Sequence, residues 1–204
     1  MLISEHSALG ALAASVLTFA WNRRRPDRSL SVMWMAAFGA IAARVPDWDL
    51  NLVAALGLSG SNWAHRSVYT HSILGIVLFG ILVTSSLFVG GILTKRRAKV
   101  NTMPIHIVSI ILIVAFATHL LFDMLEAYPI RVLYPFSSHE SSGWIPSSVY
   151  RNQMFALFTW IVGFGTAIVL SLADRRYALR EGGDPNRRHS ILRPPQNTET
   201  RIKS

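Results

Sequence analysis

Two ionisable residues, His119 and Asp123, stand four apart inside an otherwise apolar run. On a helix that spacing puts both on one face, with Cβ atoms about 6 Å apart. The pair suits two ligands to one metal from a single turn, as in helical His-x-x-x-His zinc sites. It equally suits a hydrogen-bonded pair steadying two helices. Asp47 and Asp49 follow Pro46; they read as a turn or cap, or as carboxylates converging on a cation from irregular chain. His65 and His71 flank Arg66 and Thr70, and His6 lies near the N-terminus. Taken singly, these are loop and helix-end histidines. Taken together, imidazoles and carboxylates without any cysteine favour Zn²⁺, Mn²⁺ or Fe²⁺ over Ca²⁺ or Mg²⁺, which prefer all-oxygen shells. Zinc is the first expectation.

The elements that must position these groups are membrane helices. Of 204 residues, 51% are hydrophobic and only 15% charged, against roughly 25% charged in soluble chains. The apolar residues are gathered into blocks: Ile73–Leu93 carries no charge at all. A helix crosses a hydrocarbon core of about 30 Å with about 20 such residues. Five segments qualify, at about 4–21, 30–46, 71–93, 105–125 and 154–173. The expected fold is an all-α integral membrane protein, a bundle of about five transmembrane helices. The first segment has no basic stretch ahead of it and its arginines follow it, so it reads as a retained helix and not a signal peptide. Small residues such as Gly10, Ala14, Ala36 and Gly39 suit close helix packing in lipid.

Basic residues orient the bundle. Arg23, Arg24, Arg25 and Arg28 lie between the first two segments, and Lys95, Arg96, Arg97 and Lys99 between the third and fourth. Eight more follow the fifth. The opposite side keeps only Arg44, Arg66, Arg131 and Arg151. The positive-inside rule then puts the N-terminus out and the C-terminus in. Residues 1–174 form the helical membrane domain and 175–204 a basic cytoplasmic tail. From about 181 the tail is rich in Gly, Pro and Arg and reads as disordered. The net charge of +9 is thus a matter of topology and attraction to anionic lipid, not of nucleic-acid binding. In this arrangement five of the seven histidines and six of the eleven carboxylates fall on the cation-poor outer face. Among them are Glu126, His139 and Glu140 of the last outer loop. The inner halves of segments three and four carry almost no polar groups, which argues for an outer pocket and against a channel.

The order His6 … Pro46-Asp47-Trp48-Asp49 … His65-Arg66-x-x-x-Thr70-His71-Ser72 … His119-x-x-x-Asp123 … Tyr134-Pro135-Phe136 resembles the YdjM-like family of bacterial inner-membrane proteins. That family is described as predicted metal-dependent hydrolases, and some members carry a LexA-binding label. The resemblance covers roughly residues 1–140, and the His-Arg-x-x-x-Thr-His-Ser block is its most specific part. Members often have a glycine where this chain has Ser67. The resemblance implies that His65, His71, His119 and Asp123 are metal ligands, with Asp47, Asp49 and His6 completing the set. It also implies a bacterial inner membrane with the site facing the periplasm.

The expected function is a membrane-bound, metal-dependent hydrolase acting at the outer leaflet through a metal-activated water. One of Asp47 and Asp49 would stay off the metal as general base. Arg66 would bind a phosphate or carboxylate through its guanidinium fork, or form a salt bridge to an aspartate. Thr70 and Ser72 would orient the His71 ring or cap the third helix. The site's position beside headgroups makes a lipid or lipid-linked ester the expected substrate and membrane lipids the expected partners. Two other readings stay open: a structural or sensory metal site in a non-enzymatic protein, and a small transporter.

Overall fold

The computed structural model describes residues 3–25, 29–49, 55, 57, 69–95, 104–125, 130–140, 143, 145–150 and 152–182. These residues are helical apart from turns and short connections. The helices are α1 (Ile3–Arg24), α2 (Val32–Ala42), α3 (Ile73–Lys95), α4 (Ile105–Leu125), the single turn α5 (Ser147–Tyr150) and α6 (Gln153–Gly182). Three are long and apolar enough to cross a membrane, over Ile73–Ile92, Ile105–Leu125 and Gln153–Arg180. Their outward faces are bare hydrocarbon: Leu82, Phe88, Ile110, Phe158 and Val169 are all exposed, as lipid-facing residues of a bundle should be.

The first two expected segments differ from this pattern. α1 is long but polar on its packed side, with Glu5, His6, Ser15, Thr18 and Asn22 all buried. It packs against α2, α4 and α6, so this polar side is sheltered by protein. Ser15 and Thr18 return their hydroxyls to the carbonyls of Ala11 and Ala14, which satisfies them within the helix. α2 has only 11 residues, about 16 Å of rise, or half a hydrocarbon core. Pro46 explains the early end. It has no N–H to offer the Ala42 carbonyl, and its ring would collide with that carbonyl in a continuing helix. The chain instead descends from Ala43 to Asp49 through successive tight turns, with Arg44 N bonded to Ile41 O, Asp47 N to Arg44 O and Trp48 N to Val45 O.

α1 and α2 approach each other backbone to backbone. A Cβ placed on Gly10 would overlap the Gly39 carbonyl, and one on Gly39 would overlap Ala14 and the Gly10 carbonyl. Glycine at both positions lets the two backbones touch. On its other side α1 meets Gly163 of α6 in the same way at Ala8. At the end of α1 near Arg24, the Asn22 amide donates to the Leu30 carbonyl at 2.7 Å and to Asp174 at 3.0 Å. Arg23 lies over the Tyr177 ring there, 3.8 Å from its centroid. These contacts fall on a continuous α6, which runs to Gly182. The last helix thus continues past residue 174 to Gly182. The remainder of the tail lies outside the described residues.

Candidate metal centre

Under the short end of α2, Phe79 of α3 stacks on Phe116 of α4 with centroids 4.5 Å apart. Ala42, Ala115 and Leu120 complete this apolar floor. One turn beyond Phe116, the same helix carries His119 and then Asp123, on the face turned toward α1 and the 43–49 turns. Both are buried, His119 fully.

The end of α2 decides how His119 is held. In a continuing helix the Ala43 carbonyl would accept from residue 47. Here Asp47 N bonds Arg44 O instead, and the Ala43 carbonyl accepts from His119 Nδ1 at 2.8 Å. A proton therefore sits on Nδ1, and in the neutral ring the lone pair is on Nε2. His71, in the turn just before α3, is treated similarly by different groups. Thr70 Oγ1 donates to Asp49 Oδ2 at 2.7 Å and lies 2.9 Å from His71 Nδ1. With its own proton spent on Asp49, the Thr70 oxygen is left to accept from His71 Nδ1. Asp49 Oδ2 itself stands 3.5 Å from that nitrogen. The relay turns His71 Nε2 toward His119 Nε2, and the two nitrogens are 3.2 Å apart.

Two carboxylates close the figure. Asp123 Oδ2 lies 3.1 Å from His119 Nε2 and 3.3 Å from His71 Nε2. Asp47 Oδ1 lies 3.6 and 3.8 Å from the same two nitrogens. Four ligands about 2.0–2.2 Å from a tetrahedral ion are separated by about 3.3–3.6 Å. The triangle His71–His119–Asp123 has close to those edges, and Asp47 Oδ1 lies a few tenths of an ångström farther from both nitrogens. His6 of α1 comes in from the opposite side. Its ring stacks on His119 at 3.8 Å, and its Nε2 is 3.5 Å from the other Asp123 oxygen, Oδ1. Two overlapping groups, His71–His119–Asp123 and His6–Asp47–His119, each converge closely enough to hold an ion.

The charges are arranged for a cation. Burial disfavours a charged His71, but the facing carboxylates of Asp47, Asp49 and Asp123 overcome this and raise its pKa to about 9. Burial likewise pushes the Asp47 carboxyl up. Its contact with His71 and the other nearby imidazoles outweighs burial and holds it below its usual range. The three carboxylates thus favour a positive charge at this point of the cluster.

The structure therefore brings together His6, Asp47, Asp49, Thr70, His71, His119 and Asp123. It separates the roles of two pairs that are equivalent in sequence. Asp47 faces the donor cluster, whereas Asp49 stands behind His71. Thr70 takes part in orienting His71, whereas Ser72 Oγ accepts from Gly75 N at 3.4 Å, the bond of a helix N-cap. His65, Arg66 and Glu126 lie outside the described residues. His139 is exposed, and Glu140 pairs with Arg131 at 2.9 Å on the surface, so neither joins the cluster. One contributor escaped the sequence reading. The Ala43 carbonyl has no side-chain signal, and Pro46, which frees it, was the available clue.

Groups that orient a metal-bound histidine are each worth about 10- to 100-fold in affinity. For an ion held in this cluster, Thr70→Val, which keeps the shape and removes the hydroxyl, should weaken binding by that factor. Competition against a chelator of known affinity measures it; an unchanged affinity would show that Thr70 does not hold the ring.

Comparison with known proteins gives one match. The model of the YdjM inner membrane protein family aligns with residues 1–181. No curated protein and no solved structure matches the chain.

Proposed function

The chain belongs to the YdjM inner membrane protein family, and on that premise we propose that it is a membrane-bound, metal-dependent hydrolase of lipid or lipid-linked esters. One observation carries the metal reading: two imidazoles are pinned from behind so that their Nε2 atoms meet at 3.2 Å. With a proton on His71 the two nitrogens share a hydrogen bond; with both rings neutral their lone pairs repel, and a cation between them takes the place of that proton. Asp123 and Asp47 supply the charge that such a cation needs. Zinc suits the nitrogen–oxygen donor set best, with manganese or iron as alternatives. Bound there, the cation would supply an acidified water and a Lewis acid for a scissile oxygen.

The protein's own groups divide the remaining work. His71, His119 and Asp123 hold the ion, and Asp47 stands at the longer edges of the set, where one of its two oxygens would take a proton from the attacking water while the other stays available as a ligand. Arg66, within the family block, is assigned to the anionic part of the substrate. The lipid assignment draws support from the apolar side chains around the site's loops. Trp48, between the two aspartates, is 52% exposed, and Phe136 is 82% exposed. Phe136 and Leu133 belong to a turn anchored on α3 by Ile73 N to Val132 O at 2.8 Å. Exposed aromatics of this kind sit at headgroup depth. In the proposed topology five segments insert, with the N-terminus outside, the C-terminus inside and the site facing the periplasm. The short α2 inserts as a half-length helix sheltered by α1.

The test is turnover by metal-loaded protein in proteoliposomes that carry a panel of phospho- and carboxyl-ester lipids, read by mass spectrometry. Hydrolysis should vanish with chelator and return with metal. Arg66→Ala should lower kcat/KM by about a hundredfold, the scale for losing one charge-stabilising contact, with metal content unchanged. The deep burial of His6, His71, His119 and Asp123 favours a second reading, a closed structural or sensory site. Full metal occupancy without turnover on any lipid would support that reading and overturn the hydrolase.

A further inference from the structure

Asp123 directs its two oxygens to different partners. Oδ2 faces His119 and His71 at 3.1 and 3.3 Å, and Oδ1 faces His6 at 3.5 Å. A carboxylate used on both sides in this way spans paired metals about 3.5–4 Å apart. Resting on the metal reading above, we propose that the centre holds two cations bridged by Asp123, the second bound by His6 Nε2 and Asp47.

His119 cannot serve both positions. Its Nδ1 is committed to the Ala43 carbonyl, and its single remaining nitrogen lies on the His71 side of Asp123. His6 is thus a surplus ligand in a one-ion site, although it is buried, stacked on His119 and aimed at the second oxygen of Asp123. Asp47 converges with His6 as well as with His119, and its two oxygens allow it to reach either ion.

Charge leads to the same arrangement. Asp47, Asp49 and Asp123 bring three negative charges to the cluster. One divalent ion leaves their sum negative, which repels an anionic phosphoester. Two leave it positive, and each stabilises one of the two oxygens exchanged in a displacement. The second ion is the weaker bound. Among the described residues nothing hydrogen-bonds His6 Nδ1, so His6 lacks the orienting partner that both His71 and His119 have. That difference corresponds to about 10- to 100-fold in affinity.

Full-length protein in detergent, stripped and titrated with Mn²⁺, distinguishes the outcomes. Two ions per chain are expected, in two phases separated by at least about tenfold, with the EPR spectrum of a spin-coupled pair at saturation. His6→Phe keeps the ring stacked on His119 and removes the ligand. It should bind one ion and give the six-line spectrum of isolated Mn²⁺, and His6→Gln provides the same comparison with a smaller side chain. One ion in the parent, uncoupled, overturns the second site and leaves the first intact. Two ions retained by either folded His6 variant overturn the assignment to His6. No ion in the parent overturns the metal reading itself. Should neither variant fold, the parent's stoichiometry and spectrum decide.

Discussion

A His71→Ala/Asp123→Ala double variant should leave detergent purification free of metal, where the parent carries near-stoichiometric zinc, manganese or iron. The two substitutions remove two of the three donors that form the tight triangle of 3.1–3.3 Å edges. They also remove the carboxylate shared with His6. Losing an orienting group alone costs about 10- to 100-fold. Losing two ligands should therefore cost more than about a thousandfold, enough to empty the site during dialysis. Elemental analysis of both proteins, each monodisperse on gel filtration, reads the result. A parent that remains metal-free after reconstitution would remove the basis for the hydrolase. The histidines would then be helix-end hydrogen-bonding groups, and uptake of a small solute would be the next activity to examine.

Gly10→Val should cost about 3 kcal/mol or more, the upper range for overpacking, and should leave a population that aggregates in mild detergent. The reason is the backbone contact between α1 and α2. A Cβ at Gly10 would overlap the Gly39 carbonyl and Ala43, and neither can be relieved by turning a side chain. The helices must separate, and α2 then carries the Ala43 carbonyl away from His119 Nδ1. Whatever folds should bind metal more weakly, since His119 loses the bond that fixes its tautomer. Gly165→Val is the control, because a Cβ there meets nothing within 4 Å. Thermal unfolding in detergent and metal occupancy, measured together, test both halves. A Gly10 variant as stable as the Gly165 control would refute the close approach.

Asp47 and Asp49 show where sequence reasoning stopped. Two residues apart after a proline, they offer the same chemistry, and no rule of spacing tells a ligand from a supporting carboxylate. The distinction depends on Thr70, 21 positions from Asp49, standing between that carboxylate and His71. His6 presents the same difficulty. Its meeting with the far oxygen of Asp123 depends on α1 lying between α2, α4 and α6. The length of the second segment met a different limit. Hydropathy sees an apolar stretch over 30–46, whereas Pro46 ends the helix at Ala42 and the chain goes on in tight turns to Asp49.

What the sequence alone determined was the class and the inventory. Long uncharged blocks require membrane helices because an apolar helix satisfies its own backbone in lipid. The i, i+4 geometry of a helix places His119 and Asp123 on one face whatever surrounds them, and a chain without cysteine leaves only imidazole and carboxylate as strong metal donors. The tertiary structure decided which donors meet, and from which side. That depends on Gly10 and Gly39 allowing two backbones to touch, and on a carbonyl freed by Pro46 accepting from His119. Both are backbone events between segments distant in sequence: Gly10, Gly39 and Pro46 mark them in the chain, but not which groups they bring together.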